Sequence, residues 1–134
     1  MKTDANFFKV WGGIAGAQHT LPLLLTAGHV ERGVALTAVA QLTSFNVAAR
    51  FRLPPNKGAV RVGADADLAL VDLQAGFTVT PEELHDRHRI SPYVGRTLRG
   101  RVVRTLLRGR TIFADGRITG QPAGRLVKPV EKGT

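Results

Sequence analysis

Apolar residues recur at helical spacing in the first third of the chain. This spacing predicts a helix over about residues 15–29. Pro22 predicts a kink or a break inside it, because proline lacks the backbone N–H that a helix interior uses. One further helix, or two short ones, is predicted over residues 36–51, with Thr37 at the N-cap and an end before Pro54. The apolar positions of the first helix are Ile14, Ala17, Leu21, Leu24 and Leu25.

Strand patterns follow Pro54 and Pro55. Residues 58–62 alternate between apolar and polar positions, and residues 68–73 form an apolar run, so the first predicts a short strand and the second a buried one. Residues 77–80 predict a further short strand. Thr80 and Pro81 then have the pattern of a helix start, which predicts a helix of one or two turns.

The last part of the chain is rich in β-forming residues. Residues 97–113 predict two strands with a turn or bulge at Gly109. Asp115 and Gly116 lie between apolar residues and predict a type I′ hairpin turn, because both central residues of that turn adopt positive φ. The tail from Gln121 is expected to be extended or loose. Helices first and strands afterwards define an α+β fold class.

Length and composition set broad limits on function. The chain has 134 residues, 43% of them hydrophobic, which fits one domain or a piece of a larger one. The absence of cysteine excludes disulfides, thiolate metal sites and cysteine nucleophiles. The sequence has no apolar run of the roughly 18 residues that a membrane helix needs. The polar N-terminus does not resemble a signal peptide, so a cytoplasmic protein is expected.

The positive charge is concentrated near the C-terminus. The formal net charge is +9, which raises the expectation of an anionic partner. Nucleic-acid modules usually interleave aromatic residues with the charge, and this region has only Tyr93 and Phe113, so nucleic acid is not the favoured partner. The spacing of Arg99 and Arg101 is equally typical of a solvent-facing strand surface. The basic residues are Arg96, Arg99, Arg101, Arg104, Arg108, Arg110, Arg117, Arg125, Lys128 and Lys132.

Two groups of side chains could bind a metal ion in principle. His85 and His88 are spaced to share a metal on one helical turn, but Arg87 and Arg89 oppose cation binding, so a solvated basic loop is the better interpretation. Asp65, Asp67 and Asp72 could act as acids, bases or Mg²⁺ ligands. Aspartates in a turn more often accept backbone N–H bonds, and we favour that role.

Three segments of the sequence resemble the allantoinases and their cyclic-amidohydrolase relatives, the dihydroorotases and hydantoinases. The Gly-Ala-Asp-Ala-Asp-Leu stretch marks the wider amidohydrolase superfamily, and the Arg-His-x-x-Ser-Pro-Tyr-x-Gly-Arg stretch is similar to allantoinase-like members. The resemblance covers residues 6–118 and corresponds to the C-terminal third of such an enzyme. The segments are 10–26, 43–51 with 63–72, and 87–103 with 108–110.

The resemblance implies an architecture for the intact enzyme and for this piece of it. Residues 1–53 would be the helical end of a TIM-barrel-type domain, residues 54–120 part of a small C-terminal β-sandwich, and residues 121–134 a tail. The family's metal ligands are a His-x-His pair, a carboxylated Lys, two further His and an Asp. None has a matching position here, and Lys9 is not the bridging Lys.

The resemblance also implies what the chain does. The intact family hydrolyses cyclic amides with a binuclear divalent metal centre, typically zinc, and its glycine-rich stretch lies beside the substrate. Gly12, Gly13 and Ile14 match that stretch and are the candidate substrate-binding residues. The independent pattern agrees, because these glycines precede a predicted helix whose first N–H groups are free to bind an anion or a carbonyl oxygen. No catalytic or metal-binding residue is expected in this chain.

The expected function is therefore that of an allantoinase-like fragment without activity of its own. A complementary chain carrying the barrel could complete it. Phe7, Phe8 and Trp11 have no evident partner in the sequence, so self-association is also expected. The alternative is a non-enzymatic basic binding or scaffold module, which a salt-dependent gel shift with DNA or RNA would favour.

Overall fold

The computed structural model describes residues 5–9 and 13–131 of the chain. Two helical segments come first and an antiparallel sheet follows, which confirms a mixed helix-and-sheet fold in the predicted order. A short 3-10 turn, Phe7–Lys9, precedes them. Trp11 and Gly12 lie outside the described residues. In the part that the structure describes, no helix is long and apolar enough to cross a membrane.

The first helical segment begins slightly later than predicted and is not broken at Pro22. It consists of a 3-10 turn at Ala17–His19, an α-helical turn at Thr20–Leu23 and π-helical turns at Leu24–Val30. The predicted break was wrong because Pro22 is the third residue of the α-helical turn. The N–H groups of a first turn have no intrahelical acceptor, so proline costs little at that place.

The second helical segment confirms the predicted range. It runs without interruption through Leu36–Ala40, Gln41–Phe45 and Asn46–Arg50, with π-helical pairing in the middle part. Thr37 is not its N-cap. Ala35 takes that position in an extended conformation, because its carbonyl accepts the first helical hydrogen bonds, from the N–H groups of residues 38 and 39 at 2.9 and 3.1 Å.

Four antiparallel strands form one sheet in the order β1-β2-β3-β4. The β2–β3 turn is at Arg108 and Gly109, and the β3–β4 turn is at Asp115 and Gly116. All four turn residues have positive φ, between 48° and 78°, which confirms both predicted turns. The second sheet of a sandwich is not among the described residues, so the sandwich stays a prediction. The strands are β1 (Leu68–Thr78), β2 (Thr97–Leu107), β3 (Arg110–Ala114) and β4 (Arg117–Ile118).

Strand β1 joins two predicted strands into one. Its pairing with β2 shifts between Asp72 and Gly76. The shift has a local cause: the Asp72 carboxylate accepts the backbone N–H groups of Gln74 and Ala75 at 2.9 and 3.1 Å, which holds a bulge in place. The strand is less buried than predicted, since Leu70 remains 43% exposed.

The strand predicted over residues 58–62 was wrong. The stretch consists of turns and bends, and Val60 and Val62 are exposed. Its surroundings explain the difference, because the neighbouring backbone groups bond within the loop: the N–H of Asp65 donates to the Asn56 carbonyl at 2.9 Å. Alternation alone does not make a strand where no other strand lies alongside to accept its hydrogen bonds.

The segment between β1 and β2, residues 79–96, is irregular. It opens with a single 3-10 turn, Pro81–Glu83, with proline at the first position. The tail from residue 121 is extended without regular structure. Two bonds fasten it: the Arg108 guanidinium donates to the Ala123 carbonyl at 2.7 Å, and the Val130 N–H donates to the Arg52 carbonyl at 2.7 Å. The tail therefore runs from the sheet back to the end of the second helical segment.

The core lies between the first helical segment and β2. Val79, Leu84 and Leu98 are its buried centre, with Leu23, Phe77 and Tyr93 packed against it. Beside this centre, Leu25 is buried directly over Gly100 of β2.

The approach of helix and sheet at Gly100 leaves no room for a side chain. A Cβ at this position would lie 2.5 Å from Leu25 Cδ1, and Gly100 has φ +82°. One residue along each element, the Arg99 N–H donates to the Thr26 hydroxyl at 2.8 Å. Burial of a leucine side chain contributes about 1.5–3 kcal/mol, so this contact fixes the helix on the sheet.

We expect Gly100→Ala to destabilise the fold by about 2–4 kcal/mol, because it adds a clash with Leu25 to the cost of a left-handed alanine. Gly116→Ala is the matched control, since Gly116 has φ +78° and its added Cβ would meet no atom within 4 Å. The control should lose only about 1–2 kcal/mol. Urea denaturation followed by circular dichroism measures both. Equal losses would show that the helix does not press on the sheet here.

Candidate functional site

A small cavity forms where the glycine-rich stretch enters the first helical segment. Its volume is about 320 Å³. Of the three candidate substrate-binding residues, Ile14 lines this cavity and is 58% exposed. Gly13 lies beside it, exposed and with φ +78°, and Gly12 is not described. The lining residues are Ile14, Ala15, Gly16, Ala17, Gln18, His19, Leu84, His85 and Asp86.

Gln18 fastens the wall of the small cavity that residues 84–86 form. Its side-chain amide donates to the Glu83 carbonyl at 2.8 Å and accepts the His85 N–H at 3.0 Å. The amide therefore pairs with the backbone on both sides of Leu84 in the way that a neighbouring strand would. These two hydrogen bonds bring His85 and Asp86 close to the glycine-rich stretch, although Gln18 and Glu83 are 65 residues apart in the chain.

His19 is the buried histidine of the site, and the sequence analysis missed it. It is 3% exposed, its ring meets Tyr93 edge-on with centroids 6.2 Å apart, and its Nδ1 has no hydrogen-bond partner among the described residues. Burial lowers its pKa, and the Glu83 carboxylate partly opposes that effect. A signal was present: His19, Pro22 and Leu25 recur every three residues and share the buried face.

A larger groove of about 810 Å³ lies on the other side of His19. Apolar side chains of the sheet form its floor, including Phe77, Leu107 and Phe113. At its rim the Arg101 guanidinium lies 5.7 Å from the centre of the Phe77 ring and 3.5 Å from a Glu83 carboxylate oxygen. Gln18, His19 and His85 line both the groove and the small cavity, so these residues separate the two.

The aspartates of the Gly-Ala-Asp-Ala-Asp-Leu stretch form a structural cluster. The Lys57 ammonium lies 2.8 Å from an Asp65 carboxylate oxygen and also contacts Asp67. The other oxygen of Asp67 accepts the backbone N–H of Arg108 at 2.7 Å. Hydrogen bonds from Lys57 lower the pKa of both carboxyls, and hydrogen bonds to the two carboxyls, chiefly Asp65, raise the pKa of Lys57. Asp67 thus ties the loop before β1 to the β2–β3 turn, which supports the interpretation of Asp67 as a backbone acceptor, whereas Asp65 pairs with Lys57.

The carboxylates and histidines present do not fit a divalent metal ion. Asp65 and Asp67 are both paired with Lys57, and Asp72 binds the backbone of its own bulge. Asp86 accepts the N–H groups of His88 and Ile90 at 3.2 and 3.3 Å. Over residues 5–9 and 13–131, no group of three His, Asp or Glu could hold a metal.

Comparison with known proteins identifies the class. The amidohydrolase family model matches residues 5–113, and the chain belongs to this family. It is 53% identical to an allantoinase of Rubrobacter xylanophilus over 99% of its own length, and 49% identical to an allantoinase of Solibacter usitatus over 96%. The sequence resemblance to allantoinases is thereby confirmed. The chain spans 29% and 28% of the length of these two relatives.

The fold agrees with that assignment. A D-hydantoinase (dihydropyrimidinase) from Thermus sp. superposes with a TM-score of 0.81 at 28% identity, covering 86% of this chain and 25% of the other. The chain is thus similar to a fragment of these longer proteins in both sequence and structure.

We expect Asp67→Asn to lower the free energy of unfolding by about 1 kcal/mol, because the amide retains the Arg108 bond and loses the charge pair with Lys57. Glu31→Gln is the control, since Glu31 forms an exposed pair with Arg32 at 3.5 Å and should contribute little. Because the pKa of each folded carboxyl is lowered, the stabilisation is present above the ordinary value of 3.8 and is lost as the pH falls through the folded pKa.

Urea titrations at pH 7 and at pH 3 measure both effects. The wild type should lose more stability between these two pH values than Asp67→Asn does. A wild-type stability that is the same at both pH values would show that the cluster does not stabilise the fold.

Proposed function

We propose that this chain forms one wall of the substrate site of an allantoinase-type cyclic amidohydrolase and that it is inactive alone. One observation carries the proposal: Ile14, at the position that the family resemblance assigns to substrate, lines a cavity at the start of the first helical segment. Backbone N–H groups at such a position can bind the carbonyl oxygens of a ring amide. Ile14 adds an apolar side chain that can cover the ring.

We assign the bond-breaking step of the hydrolysis to residues outside this chain. The described side chains do not fit a metal ion, so no step of the hydrolysis is assigned to them. Their role is positioning: Gly13 and Ile14 orient the cyclic amide, and Gln18 keeps His85 and Asp86 at the opposite wall. Holding a substrate in a reactive orientation is a large part of catalysis even without a reacting side chain.

A complementary chain that carries the barrel is the proposed partner. The groove on the sheet has an apolar floor, and the second helical segment exposes large apolar side chains: Leu42 is 57%, Phe45 56% and Phe51 59% exposed. Phe8 is 94% exposed. Apolar surface of this extent is typical of surfaces that another polypeptide covers. Without that partner, copies of the chain would cover it by associating with one another.

Complementation tests the proposed wall. The partner is the Rubrobacter xylanophilus allantoinase from which the region matched by this chain has been deleted, supplied with Zn²⁺ and assayed on allantoin and dihydroorotate. Neither chain alone should turn over substrate, and the mixture should. Turnover by this chain alone would contradict its proposed inactivity. A stable, inactive complex, with the intact relative active in parallel, would contradict its proposed role as a wall.

Gly13→Ala identifies the contribution of the glycine-rich stretch. Gly13 and Gly116 both have φ +78°, and an added Cβ meets no atom within 4 Å at either one. The two alanine variants therefore carry the same backbone strain. We expect Gly13→Ala to lower kcat/KM of the complemented enzyme about tenfold or more, through loss of substrate orientation. Gly116→Ala should leave it nearly unchanged. Equal kcat/KM values for the two variants would show that Gly13 is not part of the substrate site.

Self-association of the isolated chain has its own measurement. Burial of each large apolar side chain contributes about 1.5–3 kcal/mol, so the chain alone should elute as a dimer or larger species in size-exclusion chromatography with light scattering. Phe45→Ser with Phe51→Ser should shift it towards monomer. A wild-type chain that stays monomeric on heating and at high concentration would contradict the expectation.

A further inference from the structure

His19 stands between the two cavities and has an unusual environment for a titratable group. The side chain is 3% exposed, and Nδ1 finds no hydrogen-bond partner in the described part of the chain. Its ring packs edge-on against Tyr93, which belongs to the irregular segment 79–96. Its neighbour Gln18 makes the two bonds that fasten the same segment to the first helical segment. A change at His19 therefore acts directly on that attachment.

We propose that His19 is a pH-sensitive switch: the neutral ring keeps the irregular segment 79–96 closed on the first helical segment, and its protonation opens that segment. Opening joins the small cavity to the groove, because Gln18, His19 and His85 form the boundary between them. This inference does not depend on the proposed enzymatic role, since it concerns the folded chain itself.

The closed state disfavours a charged ring. An imidazolium has two donors, and burying its Nδ1–H away from water without a partner is costly. The ionisable groups that share its two cavities are Glu82, Glu83, His85, Asp86 and Arg101. Glu83 favours the charged form, but it is already near Arg101, at 3.5 Å. Burial outweighs Glu83, and the pKa of His19 in the closed state is lowered from 6.5.

The sign of the pH effect follows from this difference. In the open state His19 is solvated and has its ordinary pKa near 6.5. Below that pH the open state takes up a proton that the closed state does not bind, so opening becomes more favourable as the pH falls. The open population rises by up to about tenfold for each pH unit between the open-state and closed-state pKa values, because one proton is taken up.

Hydrogen exchange measured by NMR on the whole chain tests the proposal. The readouts are the backbone N–H of residue 85, which donates to Gln18, and that of residue 84, which donates to the Pro81 carbonyl at 3.3 Å. Between pH 7.5 and pH 5, protection of both amides should fall several-fold after correction for intrinsic exchange, because the open state alone takes up the proton. Protection in β2 and β3 should not change. The His19 ring, followed through its ¹⁵N shifts, should titrate over the same range.

Variants separate the switch from a general loss of stability. His19→Phe keeps an aromatic ring against Tyr93 and cannot be protonated. In this variant, the protection of the amides of residues 84 and 85 should therefore not depend on pH. His85→Phe changes the exposed histidine of the same boundary and should keep the wild-type response. If His19→Phe does not fold, His19→Leu replaces it. If neither variant folds, the pH dependence of wild-type protection decides alone. The proposal is overturned by an unchanged pH response in the His19 variant, or by wild-type protection that stays constant to pH 5.

Discussion

The close contact of the first helical segment with β2 is the constraint on which the rest of the structure depends. It exists because Gly100 has no side chain, which lets Leu25 lie against the strand backbone. The Thr26 hydroxyl accepts the Arg99 N–H at 2.8 Å and lies 3.2 Å from the Arg99 carbonyl, so a side chain pairs with a strand backbone beside the contact. The position of the helix start, and of the glycine-rich stretch before it, follows from this one contact.

The irregular segment between β1 and β2 is held by polar groups of the helix. The side chain of Leu84 packs in the core, and the Gln18 amide forms hydrogen bonds with the backbone on both sides of Leu84. The small cavity is therefore built from two elements distant in the chain. Its walls are the start of the first helical segment and a loop bearing His85 and Asp86. Within it, the Asp86 carboxylate is already engaged by the backbone N–H groups of His88 and Ile90.

The proposed role accounts for the large exposed apolar surface. The chain spans 29% of the length of one relative, and we propose that the exposed side chains contact the complementary chain. The same side chains are a liability in isolation, because exposed apolar surface drives association. The aspartate cluster shows the opposite behaviour: Lys57, Asp65 and Asp67 satisfy one another within the chain. The fold therefore combines a loop whose charges pair within the chain with helix and sheet faces that expose apolar side chains.

The sequence by itself determined the order of helices and strands, both hairpin turns and the family. These depend on local chemistry, such as positive φ at Asp115 and Gly116, and on motif order. Tertiary structure decided the rest. Pro22 did not break its helix because the helical pairing starts just before it, residues 58–62 found no neighbouring strand, and His19 became buried because Tyr93 folds back onto it. Burial and strand pairing depend on residues far away in the chain, and local patterns carry no record of them.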